Sequence, residues 1–197
     1  MPRLTSALSA AVAGTFFLAA PLCAQRLQHR QGMWLGGGLG ASWASIDCRV
    51  CTDDAELGFS GALRIGGTPS PQASAGVELS YWRPAAADTA REYWAVMALL
   101  DYSPSPRVPV FIRLGFGAGR YAEERVTATG GPWGLSAHGF VLQAGAGYTF
   151  PLAGRFRIAP GISYVAARGH KAKLNQIAES RDLSASMIRI GADITWR

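Results

Sequence analysis

Six ionisable residues sit in stretches that are otherwise apolar or small, each with an apolar neighbour on both sides: Arg64, Glu78, Asp101, Arg113, Arg189 and Asp193. Three cations and three anions of this kind can neutralise one another as a structural ion-pair cluster, since an unpaired charge in a low-dielectric interior is costly. They can also exchange partners and let small solutes pass. A second group could carry nucleophilic chemistry: Ser136-Ala137-His138 supplies a hydroxyl and an imidazole, with Glu123 and Glu124 nearby in sequence to orient the base. A loop histidine of this kind is more often simply solvated, so no catalytic role is assigned. A third group, Arg168, His170, Lys171 and Lys173, concentrates positive charge that would attract an anionic headgroup.

Cys48 and Cys51 are the remaining chemistry. An even pair in an exported chain reads as a disulfide. Two thiols without a neighbouring His or second Cys pair do not make a four-ligand zinc site. A redox-active pair needs a helix N-terminus to lower the thiol pKa, and Asp-Cys-Arg-Val-Cys-Thr-Asp-Asp is followed by no helical pattern. No cofactor is expected.

Export is read from the N-terminus. In MPRLTSALSAAVAGTFFLAAPLCAQ, one arginine precedes an apolar run, then Pro21 and a small-residue exit at Ala24, the layout of a secretory signal peptide. The expected division is residues 1–24 as signal peptide and 25–197 as the folded domain. The rivals are an uncleaved anchor, because the run from Leu4 to Ala24 is long enough to span a bilayer, and a lipoprotein at Cys23, which Leu22 disfavours. Cleavage would remove Arg3 and Cys23, taking the formal charge from +6 to +5 (6 − 1). The remaining positive charge is scattered, whereas a nucleic-acid protein would gather it on one face with aromatic platforms. No nucleic-acid partner is expected.

The elements that must position these residues follow from a period of two. From Met33 onward apolar residues recur at alternate positions between turn signals, which argues for strands. With 24 glycines in 197 residues, a mainly helical chain is disfavoured, since glycine costs about 1 kcal/mol relative to alanine in a helix interior. Eight strands are expected. The first runs from Gly32 to about Ser45, and the second is stopped by Thr-Pro-Ser-Pro-Gln at 68–72. The clearest is the fifth, with Val110, Ile112, Leu114 and Phe116 alternating against Phe111, Arg113, Gly115 and Gly117. The fourth has a second face, Tyr93, Met97 and Leu99, that is unusually apolar. Short proline- or glycine-rich connections follow strands two, four and six. Longer polar ones follow one, three, five and seven, among them Arg120–Leu135 and Ala167–Asp182.

Such alternation suits a soluble lipocalin-like barrel with an apolar interior or a membrane barrel with an apolar exterior. The faces choose the second. One set holds the charges with many glycines, which fits the inside of a narrow barrel; the other is continuously apolar. A slip of one residue would turn every side chain over and bring Arg64, Arg113 and Arg189 to lipid at about 2–4 kcal/mol each. Aromatics fall toward both strand ends: Tyr102, Phe150, Phe156 and Trp196 at one, Trp43, Phe59, Tyr81, Trp94 and Phe140 at the other, as interfacial anchoring requires.

The final strand, with Ile188, Ile190, Ala192, Ile194 and Trp196, resembles the aromatic-ended terminal strand of outer-membrane proteins, departing from it by the extra Arg197. Over about 165 residues, taken from strand count and loop alternation, the chain resembles the small OmpA/OmpX-type barrels. That resemblance implies an all-β, eight-stranded, antiparallel up-and-down transmembrane barrel in the bacterial outer membrane. It also implies contact with outer-membrane lipid and lipopolysaccharide, and recognition of the last strand by the barrel assembly machinery. A monomer is expected, because a closed barrel leaves no edge to satisfy. Some small barrels that trim lipid A carry His-x-Ser on one strand; here Ser136 and His138 stand in the reverse order. The expectation is a barrel with a structural or surface-interaction role and no catalytic activity. A narrow passive pore is the alternative, and a lipid A acyl hydrolase or a soluble secreted binder stands further back.

Overall fold

The computed structural model describes residues 32–47, 55–85, 90–105, 107–126, 132–174 and 177–197. Eight long antiparallel strands follow in order: β1 (Met33–Asp47), β2 (Glu56–Ser70), β3 (Ala73–Pro84), β4 (Ala90–Tyr102), β5 (Val110–Val126), β6 (Pro132–Tyr148), β7 (Phe156–Leu174) and β8 (Ile177–Trp196). Each pairs with its sequence neighbour, and β1 pairs with β8, which closes the barrel. The short segment Phe150–Pro151 prolongs the β6–β7 hairpin by pairing with Ile158 and Arg157. The signal-peptide region and the Cys48–Cys51 pair lie outside the described residues.

Alternation decides which way the sheet curls. On β5, Ile112, Leu114 and Phe116 are exposed on the convex wall, while Phe111, Arg113 and Tyr121 are buried within. The same holds around the ring, with Leu39, Leu63, Val77, Val96, Leu142, Ile162 and Ile190 all outside. A continuous apolar exterior on a closed sheet is the surface of a protein that spans a bilayer with strands, because closure leaves no unpaired backbone group in hydrocarbon.

Small residues fill the concave face because eight strands leave little room. Gly66 and Gly76 oppose each other in register, and Trp34 lies across both: a β-carbon would come within 2.6 Å of the indole at Gly66 and 2.9 Å at Gly76. The indole Nε1 then donates to the Gly67 carbonyl at 3.1 Å.

Two expected loops are largely strand. Positions 120–126 and 132–135 extend β5 and β6, and positions 167–174 and 177–182 extend β7 and β8. Beyond the membrane the outer face of a strand meets polar surroundings, so an apolar outer row no longer marks it. In β7 a bulge at Gly169 also interrupts the period of two. The second strand likewise runs past the first proline to Ser70, with its register broken between Gly67 and Ser70, where Pro69 has no donor to lose.

Candidate functional site

The bore is divided into layers. Lowest, toward the turns at 71–72, 103–109 and 149–155, lies a polar cup of about 680 Å³, open space included, lined by Ser74, Asp101, Arg113, Arg157, Thr195 and Arg197 among others. Arg197 donates through Nη2 to Ser74 Oγ at 3.2 Å. Burial, with Arg157 close by, pushes its guanidinium down to about 10, which still leaves it charged at neutral pH.

Above the cup all six inward charges meet. Arg64 and Glu78 are register partners on β2 and β3 and form an ion pair. Asp101 and Arg113 are register partners on β4 and β5. Asp193, from β8, receives Arg64 and also Arg113 Nη1, the latter at 2.8 Å. Arg189 reaches Glu78 at 3.5 Å and donates from Nε to Ser163 Oγ at 3.2 Å. With Arg64 and Glu78 almost wholly buried, the three positive and three negative groups form a neutral layer tying β2, β3, β4, β5 and β8 together across the bore. On the adjoining wall Ser42 donates to Ser60 Oγ at 2.7 Å.

The next layer is apolar. Ala44, Ile46, Trp82, Tyr93, Met97, Tyr121, Leu135, Val141, Val165 and Leu183 belong to one contiguous buried cluster fed by every strand except β2. From β2, Gly58 instead makes space, lying so close to the Trp82 indole that a β-carbon there would overlap it. Trp82, Met97 and Tyr121 are 1% exposed and Val141 0%. A side chain lining a water-filled channel would keep some contact with solvent, so these values describe a closed bore. The apolar inner face of the fourth strand is therefore half of a plug.

A third layer caps the plug at the far end. Arg91 donates from Nε to Glu123 Oε1 at 3.0 Å and pairs with Glu56; Tyr121 donates to Glu123 Oε2 at 2.8 Å. Glu123 is completely buried. Sequence reasoning missed this cluster by treating Glu123 as a loop residue; Tyr121 and Glu123 at alternate positions, opposite Tyr93 and Arg91 in the same phase, were the available signal.

The hydroxyl and imidazole considered for catalysis are placed apart from these layers. His138 is exposed and Ser136 half-buried on the outer wall of β6, while Glu123 faces inward and is engaged by Arg91 and Tyr121. Glu124 is exposed and pairs with Gly134, four residues along β6 from His138; that is roughly 13 Å at strand rise. The structure brings no carboxylate to this imidazole among the described residues. Of the basic group, Arg168 is exposed on β7. His170 pairs with Leu183, Lys171 with Asp182 and His138, and Lys173 with Ser136 and Ala178.

A closed eight-stranded antiparallel barrel with an apolar outer wall and a packed interior has the fold of the small outer-membrane β-barrels of the OmpA/OmpX type. Solved structures agree on the fold. Neisserial surface protein A superposes with a TM-score of 0.55 at 13% identity, covering 83% of this chain and 96% of its own. The attachment invasion locus protein Ail of Yersinia pestis gives 0.54 at 13% identity, covering 81% and 97%. Ail in complex with the heparin analogue sucrose octasulfate gives 0.51 at 14% identity, covering 82% and 98%. No protein-family model and no curated protein matches the sequence.

Proposed function

We propose that this protein is a sealed, non-catalytic outer-membrane barrel whose working part is its outer surface, with the interior serving only to hold that surface in place. The observation that carries the reading is the contiguous apolar layer from seven strands, with Trp82, Met97, Tyr121 and Val141 at 0–1% exposure. Water and hydrated ions do not cross a dry layer of aromatic, methionine and aliphatic side chains, and the neutral ion-pair layer beneath adds a second barrier. Against the pore alternative, the charges that could exchange partners lie below this plug and do not form the constriction. Against acyl hydrolysis, His138 has no acid to orient it among the described residues.

Two measurements on the detergent-folded protein test the reading. Reconstituted liposomes should show no swelling in iso-osmotic arabinose or glycine relative to empty liposomes. Incubation with lipopolysaccharide should release no fatty acid. Swelling above the blank would overturn the sealed bore, and fatty-acid release abolished by His138→Ala would overturn the non-catalytic assignment.

A further inference from the structure

The outer wall of β5–β7 carries a basic sector that neither interior layer explains. Arg120 on β5 pairs in register with His138 on β6, and His138 pairs with Lys171 on β7. Arg168 pairs with Phe140, one outward position lower. Arg120, His138 and Arg168 are all exposed. Three adjacent strands place the Arg120–His138–Lys171 row within about 10 Å.

Simple alternation would send residues 168 and 171, three apart, to opposite faces of the sheet. Between the pairs Phe140–Arg168 and His138–Lys171, however, β6 has one residue, Gly139, where β7 has two, Gly169 and His170. On the other side, Ala167–Ala185 and His170–Leu183 enclose two residues of β7 against one of β8. This is a β-bulge, and Gly169 takes the left-handed φ of 71° that favours glycine. The extra residue is what puts Lys171 in register with His138 while Arg168 stays on the wall beside Phe140.

The height of the sector is set by aromatics. Trp94 and Phe140 are exposed at this end of the apolar band, and Trp94 is the register partner of Arg120. Interfacial aromatics lie at headgroup level, so these cations lie there too. The neighbouring carboxylates are Glu92, half-buried and paired with Ala122; Glu124, exposed; and Asp182, in register with Lys171.

We propose that this sector binds a phosphate of a phosphorylated glycolipid in the outer leaflet. Arg120 and Arg168 grip the phosphate by charge-assisted hydrogen bonds, while His138, exposed between them on β6, adds a further polar group. Phe140 and Trp94 offer apolar surface to the acyl chains just below, which favours a membrane lipid over a soluble anion. The inference rests on the outer surface being the working part; it holds whether or not the bore conducts.

Native mass spectrometry of the full chain folded in detergent tests it, with diphosphorylated lipid A and fully dephosphorylated lipid A as probes. The wild type should retain the phosphorylated lipid and lose the other. Arg120→Ser with Arg168→Ser should weaken retention about tenfold or more, whereas the same charge change at the opposite rim, Arg107→Ser with Arg155→Ser, should leave it intact. Heat-modifiable gel migration verifies that each variant is folded. Equal retention of the two lipids, or equal loss in both double variants, would overturn the site while leaving the liposome result untouched.

Discussion

Arg113 and Asp101 stand opposite each other on β5 and β4 and are joined by two parallel hydrogen bonds, Nε to Oδ1 at 2.7 Å and Nη2 to Oδ2 at 2.9 Å, with the third nitrogen turned to Asp193. A guanidinium used at all three nitrogens by two carboxylates is a strut between neighbouring strands and β8. Arg113→Ala leaves two partly buried carboxylates short of a partner, and losses on breaking a buried pair run to about 3–5 kcal/mol. Urea unfolding of the barrel in detergent, followed by tryptophan fluorescence, should show a loss of that order. A change below about 1 kcal/mol, the level of an exposed pair, would mean that the charge layer carries no structural load.

Gln143 is the opposite case. It is 3% exposed, and neither its amide oxygen nor its nitrogen has a hydrogen-bond partner among the described residues. A buried amide left unsatisfied costs about 1–3 kcal/mol, so the similarly sized Gln143→Leu should stabilise the barrel in the same urea assay. Destabilisation would show that the amide is satisfied in the membrane-embedded protein.

The outward register predicts a depth-dependent penalty. Leu114 is exposed within the apolar outer row of β5, between Ile112 and Phe116, and arginine there should cost about 2–4 kcal/mol when unfolding is measured in lipid bilayers. At Val108, exposed in the turn before β5, the same replacement should cost close to nothing. Equal effects at the two positions would remove the lipid-facing assignment.

Much of this arrangement is legible in the sequence, for one physical reason: lipid on the outside and crowding on the inside impose opposite demands on alternate residues. Arg64 and Glu78 oppose each other because both lie in phase within one hairpin, and the same counting pairs Asp101 with Arg113. The outer ends of β5 to β8 are not legible in this way. There polar surroundings replace lipid, the outer face of a strand tolerates charge, and the bulge at Gly169 breaks the count, so strand reads as loop. The plug was visible only as an anomaly, the apolar second face of β4. Its meaning depends on Trp82, Tyr121 and Val141 arriving from three other strands, which no local pattern reveals.

Single-channel recording in planar bilayers tests the central claim, that the apolar layer and not the ion-pair layer closes the bore. The wild type and Glu78→Ala should both be silent, because removing a charge leaves Trp82, Met97 and Tyr121 in place. Trp82→Ala combined with Met97→Ala and Tyr121→Ala, folded as judged by heat-modifiable migration, should open discrete conductance steps. Conductance in the wild type, or its appearance on Glu78→Ala alone, would contradict the account.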